Sequence, residues 1–119
     1  MPASVLIIDD NEPTLHLMAG QLRGAGYGVL TAQNGKEALN LLKMARPDVI
    51  IADLQMQPVG GLDFARELIN SRYIFPIIMV TGDSSTDVLY QANKVGISQV
   101  LKKPIAGELL IKAVERALR

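Results

Sequence analysis

The chain has 119 residues, of which 49% are hydrophobic and 20% are charged, a composition that excludes a disordered chain and fits one compact domain over residues 1–119. Its 12 acidic and 12 basic residues cancel to a formal net charge of zero, so no overall field favours nucleic acid or an anionic membrane. The absence of cysteine excludes disulfides and thiol chemistry.

Short apolar runs predict the strands. The first, Val5–Ile8, is too short for a secretory signal or a membrane span, and we therefore expect a cytoplasmic protein. The runs are apolar at consecutive positions, which is typical of strands buried on both faces of a parallel sheet. The later runs are Gly28–Ala32, Val49–Ala52, Ile77–Val80 and Gln99–Leu101.

Helical periodicity fills the segments between these runs, with one apolar stripe on each helix facing the sheet. The second helix should stop at Arg46-Pro47, and the fourth, from about Ser84 to Lys94, has the thinnest stripe and a cap among residues 83–85. The stripes of the first, second, third and fifth helices are, in that order, Leu15, Met18, Ala19 and Leu22; Ala38, Leu41, Leu42 and Ala45; Leu62, Ala65, Leu68 and Ile69; and Leu109, Leu110, Ala113, Val114 and Ala117.

The predicted order is a strand followed by a helix, five times. Because crossovers between parallel strands are right-handed, helices should cover both faces of a five-stranded parallel sheet, giving a three-layer α/β/α sandwich. In such sheets the site lies at the carboxyl ends of the strands.

Polar residues end four of the five runs: Asp9 and Asp10, then Asp53, Thr81 and Lys103. Crowded carboxylates repel one another unless a cation neutralises them, and Mg²⁺ prefers carboxylate, water and phosphate oxygens. The lysine suits a phosphate, or pairs with Asp53 in its absence. The threonine hydroxyl can donate to a phosphoryl oxygen. A carboxylate such as Asp53 can accept a phosphoryl group covalently.

Val5–Ile8 followed by Asp9-Asp10, then Asp53, Thr81-Gly82 and Lys103-Pro104, resembles in order and spacing the receiver domains of two-component response regulators, the CheY-like family. The resemblance covers essentially the whole chain. It implies a flavodoxin-like fold with strand order 2-1-3-4-5.

The resemblance also implies the chemistry and the partners. Asp9, Asp10 and the backbone carbonyl of Gln55 would hold Mg²⁺ together with Asp53, the residue that takes the phosphoryl group. The donor would be a sensor histidine kinase or a histidine phosphotransfer protein. The domain would catalyse only its own phosphorylation and dephosphorylation, and would act on a downstream protein or on an effector domain outside this chain. In this family Lys103-Pro104 is often a cis peptide.

Two features depart from the family pattern. The loop with Met56, Pro58 and Gly60-Gly61 has its proline shifted by one position, so we expect an altered loop there. Val100 stands where relatives usually carry Tyr or Phe, and its short, stiff side chain cannot swing as a ring does. Activation would then be read through Thr81 and the following loop, or through a homodimer that uses the last strand and helix.

An apolar patch for such a dimer would comprise Val100, Ile111 and Leu118, although these residues equally fit the edge of the core. Asp9 and Asp10 also fit a helix cap, a role for which Asn11 is available. His16 is expected at the surface.

Two other functions stay open. One is a pseudo-receiver, an interaction module that keeps the fold without using phosphate. The other is an enzyme on the same fold, either an aspartyl phosphatase, which usually has Asp-x-Asp after its first strand, or a flavin protein. The order Asp9-Asp10-Asn11 departs from the phosphatase pattern, and the acidic pair would repel a flavin phosphate.

Overall fold

Strands form where the chain is continuously apolar, and helices connect them. The computed structural model describes residues 3–54, 61–70, 75–82, 86–95, 97 and 99–119. Its strands are β1 (Ser4–Ile8), β2 (Gly28–Ala32), β3 (Val49–Asp53), β4 (Ile77–Thr81) and β5 (Gln99–Lys102). Its helices are α1 (Glu12–Gly24), α2 (Gly35–Leu41), α3 (Gly61–Asn70), α4 (Thr86–Lys94) and α5 (Gly107–Ala117).

The strands are all parallel and lie in the order β2-β1-β3-β4-β5, which confirms the predicted topology. The central strands β1, β3 and β4 are buried along almost their whole length, whereas the edge strands β2 and β5 are mostly half-buried. One apolar cluster joins the sheet to α1 and α5, and a second joins it to α2, α3 and α4. The molecule is therefore the predicted three-layer sandwich, and the carboxyl ends of all five strands lie at one edge.

The first helix begins at a side-chain cap. Asn11 Oδ1 accepts hydrogen bonds from the backbone N–H of Thr14 at 3.0 Å and from its hydroxyl at 2.8 Å. The predicted stripe of α1 is buried. After the helix, Gly26 has a φ of 97°, a left-handed conformation that glycine adopts readily because it has no Cβ.

The second helix is shorter than predicted. It ends at Leu41 rather than beside Arg46, and the carbonyl of Leu41 then accepts hydrogen bonds from the backbone N–H groups of both Met44 and Ala45. Beyond Leu41 the chain continues as hydrogen-bonded turns instead of a regular helix. Leu42 is nevertheless buried in the core, as the apolar pattern predicted.

The prediction for α5 was wrong at one position. Leu109 is 57% exposed, because the face of α5 that packs on the sheet is formed by Leu110, Ala113 and Val114. In α3, Ala65 and Leu68 are buried as expected. The cap predicted among residues 83–85 lies outside the described residues. Within the described ranges, every helix is too short or too polar to cross a lipid bilayer.

Candidate functional site

Asp9 lies immediately after β1, and the chain turns so that its side chain points inward. Its backbone N–H donates to the carbonyl of Ala32 at 3.1 Å, which continues the pairing of β1 with β2. Its Oδ1 accepts a hydrogen bond of 2.8 Å from the backbone N–H of Asn11, the residue that caps α1. Asp9 is completely buried, whereas Asp10 is exposed. Asn11 therefore provides the helix cap, and Asp9 is left to face the site.

Asp53 and Thr81 are the last residues of the two neighbouring central strands. Asp53 is 5% exposed and lies opposite Val80 in the β3–β4 register. Thr81 is completely buried, and its carbonyl accepts a hydrogen bond of 2.8 Å from the backbone N–H of Lys103. Parallel pairing thus brings the residue after β5 to the same edge as β3 and β4.

Lys103 joins the acidic residues. Its Nζ donates to Asp9 Oδ2 at 2.8 Å and to Asp53 Oδ2 at 2.9 Å. The neighbouring Lys102 is exposed, so Lys103 is the lysine that contacts the acidic residues. The pairing with Asp53 was predicted, and the contact with Asp9 was not. The peptide bond between Lys103 and Pro104 is cis.

The three acidic residues can hold a metal ion together. Asp9, Asp10 and Asp53 each offer a carboxylate oxygen, and these oxygens lie within 4.8 Å of one another. A single lysine offsets only part of their negative charge, and a hard divalent cation prefers this set of oxygen ligands. The donor set therefore fits Mg²⁺. The fourth predicted ligand, the carbonyl of Gln55, lies outside the described residues.

Burial and pairing act in opposite directions on the charged groups. Burial raises the pKa of the Asp9 carboxyl, and the hydrogen bonds from Lys103 and from Asn11 offset this only in part. Burial alone would lower the pKa of Lys103, but its hydrogen bonds to Asp9 and Asp53 outweigh that effect and raise it. Lys103 is therefore a cation at neutral pH, whereas Asp9 ionises less readily than a carboxyl in water.

Other residues singled out from the sequence lie away from the acidic cluster. His16 is 75% exposed on the surface of α1, 3.6 Å from Glu12 one turn away. Val100 is half-buried and packs against the apolar cluster on the α2, α3 and α4 face. Gln99, which precedes it, donates a 3.0 Å hydrogen bond to the carbonyl of Ala113 in α5.

A cleft beside the acidic cluster was not predicted. It has a volume of about 360 Å³ and lies between α1 and the segment that follows β5, with Lys103 in its wall. The sequence contains one signal of this cleft. Thr14, Leu17 and Gln21, which line it, follow one another at helical spacing next to the core stripe of α1.

Known proteins share this fold and sequence pattern. A family model described as the response regulator receiver domain matches residues 5–115. The sequence is 32% identical over 117 residues, 98% of this chain, to the transcriptional regulatory protein GlrR of Escherichia coli strain K12. It is also 32% identical over 121 residues, 99% of this chain, to the polar-differentiation response regulator DivK of Brucella anthropi.

The structure is similar to that of chemotaxis protein CheY4 of Vibrio cholerae, with a TM-score of 0.93 and 36% identity over 99% of this chain and 100% of that chain. The chain spans 26% of the length of GlrR but 98% of the length of DivK. The structural likeness agrees with the observed strand order. The chain therefore belongs to the family of response regulator receiver domains of two-component systems.

Proposed function

We propose that residues 1–119 act as a phosphoacceptor receiver domain in which Asp53 takes a phosphoryl group from a histidine kinase or a phosphotransfer protein. The observation that carries this proposal is the bridge made by Lys103, whose ammonium group donates to both Asp53 and Asp9. That bridge holds a cation beside the acceptor oxygen, where the incoming group is negatively charged. It also leaves the carboxylate of Asp10 beside Asp53 for a metal.

In the proposed step, a carboxylate oxygen of Asp53 attacks the phosphorus atom, and the bond from phosphorus to the donor's imidazole nitrogen breaks. Lys103 shifts from the carboxylate to a phosphoryl oxygen and stabilises its charge, and the hydroxyl of Thr81 donates to another. When bound, Mg²⁺ supplies further positive charge at the transferring group. Asp9, Asp10, Asp53 and the backbone carbonyl of Gln55 are its proposed ligands.

Phosphorylation would change contacts with a downstream protein or with an effector domain outside this chain. Val100 lacks an aromatic ring that could change position, so we propose that Thr81 and the loop after β4 report the phosphorylated state. We assign the domain no other catalytic activity and no direct binding to nucleic acid or membranes. We propose a cytoplasmic location, which agrees with the absence of cysteine.

The homodimer through β5 and α5 stays a prediction. Val100 packs on one face of the sheet and Ile111 on the other, and both are half-buried. Leu118 is 37% exposed. This packing gives more support to the edge-of-core interpretation of Val100 and Ile111, but not of Leu118. Sedimentation of the protein with and without beryllofluoride, a phosphoryl mimic, tests the dimer, which predicts a faster boundary only in the treated sample.

Intact-protein mass after incubation with acetyl phosphate and Mg²⁺ tests the acceptor. We expect the wild-type protein to gain one phosphoryl group and the Asp53→Asn variant to gain none. A phosphorylated histidine kinase serves as a second donor, because some receivers use small donors poorly. If folded wild-type protein gains no phosphoryl group from either donor, the domain is a phosphate-independent interaction module instead.

A further inference from the structure

The cleft between α1 and the residues after β5 adjoins the proposed phosphorylation site. Its apolar wall is formed by Leu17, Met18, Val80, Pro104 and Ile105. Lys103 lines the same cleft, and its Nζ lies 2.9 Å from Asp53 Oδ2. Lys103 therefore lines the apolar cleft and also contacts the acceptor carboxylate.

The depth and the rim of the cleft suit a small apolar group. Val80 and Met18 are almost completely buried and form its floor, whereas Leu17 is 61% exposed at its mouth. Thr14 and Gln21 supply its polar rim. Gln21 packs against α5 so closely that a Cβ on Gly107 would lie 2.8 Å from its Nε2.

We infer that this cleft receives the acyl chain of an acyl phosphate that donates its phosphoryl group directly to Asp53. Donors whose alkyl chain is a few carbons longer than that of acetyl phosphate should then react faster. The inference rests on the proposed function, because it assumes that Asp53 is the acceptor. The charge pattern favours this occupant: the donor's phosphoryl group is an anion and meets the Lys103 ammonium, which also stabilises the negative charge that develops on the departing carboxylate, while the alkyl chain meets the apolar wall.

The reaction balances without any further reactant. An oxygen of the Asp53 carboxylate forms a bond to phosphorus, and the bond between phosphorus and the acyl oxygen breaks. The electron pair of that bond leaves with the carboxylate of the donor, and no proton, oxidant or reductant is consumed. The products are the phosphorylated Asp53 and a free short-chain carboxylate.

The test compares the initial rate of phosphorylation by butyryl phosphate with the rate by acetyl phosphate. Intact-protein mass follows the reaction, with Mg²⁺ present and the donor at a limiting concentration. The two leaving groups have nearly equal acidity, so a rate ratio reports contacts of the alkyl chain. We expect butyryl phosphate to be several-fold faster, with a ceiling on the order of tenfold for two buried methylene groups. Equal rates would overturn the inference.

Two leucines provide a matched pair of variants, because Leu17 is 61% exposed and Leu109 is 57% exposed, and only Leu17 lines the cleft. We expect Leu17→Gln to bring the butyryl-to-acetyl ratio close to one and Leu109→Gln to preserve it. A ratio unchanged in Leu17→Gln would overturn the inference. The inference would also be overturned if Leu17→Gln slowed only the transfer from a phosphohistidine protein, because the cleft would then serve a protein partner.

Phosphoramidate, a donor without a carbon chain, separates the two proposals. If phosphoramidate labels the protein but butyryl phosphate reacts no faster than acetyl phosphate, only the proposed role of the cleft is wrong. If no donor labels the protein, both the role of Asp53 as acceptor and the role of the cleft are wrong. Methyl NMR of the Asp53→Asn variant gives a readout without transfer. Butyryl phosphate should shift the methyl resonances of Leu17 and Ile105 but not of Leu109; unchanged Leu17 and Ile105 resonances would contradict the inference.

Discussion

Lys103 Nζ lies 2.8 Å from Asp9 Oδ2 and so joins two residues that are 94 positions apart in the sequence. Asp9 is completely buried, and the side chain of Lys103 is 24% exposed. The same ammonium group also contacts Asp53, so a single cation offsets part of the repulsion between two carboxylates at the end of the sheet.

Replacing the lysine should therefore destabilise the protein. We expect Lys103→Met to lower the free energy of unfolding by about 2 kcal/mol at neutral pH, because it leaves two carboxylates without their partner. Urea unfolding monitored by circular dichroism measures the change. Lys102→Met is the matched control, since Lys102 is exposed, and its effect should stay within about 0.5 kcal/mol. Equal losses in the two variants would contradict the role of the bridge.

Neutralising Asp9 should have the opposite effect on the metal-free protein. Because burial raises its pKa in the folded state above the ordinary value of 3.8, the ionised carboxyl weakens folding progressively as the pH rises through the folded pKa. Asp9→Asn should therefore be more stable than the wild type at pH 7, and this gain should vanish below pH 3.8. Urea unfolding across this pH range measures it.

Asp10→Asn is the control for that experiment, because Asp10 is exposed. We expect the stability of the metal-free protein to change by no more than about 0.5 kcal/mol in this variant. A loss of stability in Asp9→Asn at pH 7 would mean that the ion pair with Lys103 outweighs the cost of burying the charge.

Metal binding should separate the same residues in another way. If the acidic cluster binds Mg²⁺ in the folded state, as proposed, Mg²⁺ should raise the thermal midpoint of the wild-type protein in proportion to the logarithm of its concentration. Asp10→Asn should reduce this rise, because it removes one of the three clustered carboxylates. Asp63→Asn, which changes an exposed carboxylate in α3, should retain it. An equal rise in all three proteins would argue against the proposed ligands.

The cap of α1 should contribute to stability without contributing to the chemistry. Asn11→Ala removes the side-chain oxygen that accepts from Thr14 and should cost about 1 kcal/mol. The backbone N–H that donates to Asp9 is still present in alanine, so phosphorylation of the folded protein should persist. Asn34→Ala removes the corresponding cap of α2 and should cost a similar amount. A selective loss of phosphorylation in Asn11→Ala would give Asn11 a further role at the site.

The sheet and much of the candidate site could be predicted from the sequence, because buried parallel strands are continuously apolar and their polar ends meet at one edge. The end of α2 could not be predicted, since the Leu41 carbonyl closes turns within a segment whose apolar spacing still fits a helix. Similarly, Leu109 matches the spacing of the α5 stripe, and only the orientation of the helix on the sheet leaves it exposed.

The contact between Lys103 and Asp9 depends on long-range geometry. Pattern alone did not distinguish the orientations of Asp9 and Asp10, and the inward turn of Asp9 depends on its hydrogen bond to the N–H of Asn11. The cleft beside Lys103 depends on how far α1 stands from the segment after β5. No local spacing encodes that distance.

The order of the strands has a consequence for synthesis of the protein on the ribosome. Asp9 is translated first, and the lysine that pairs with it follows 94 residues later. A nascent chain that ends before residue 103 lacks the ammonium group that pairs with Asp9 and Asp53. We therefore expect phosphoryl acceptance to begin only after residue 103 has been translated, so that a nascent chain that ends before Lys103 cannot respond to a kinase.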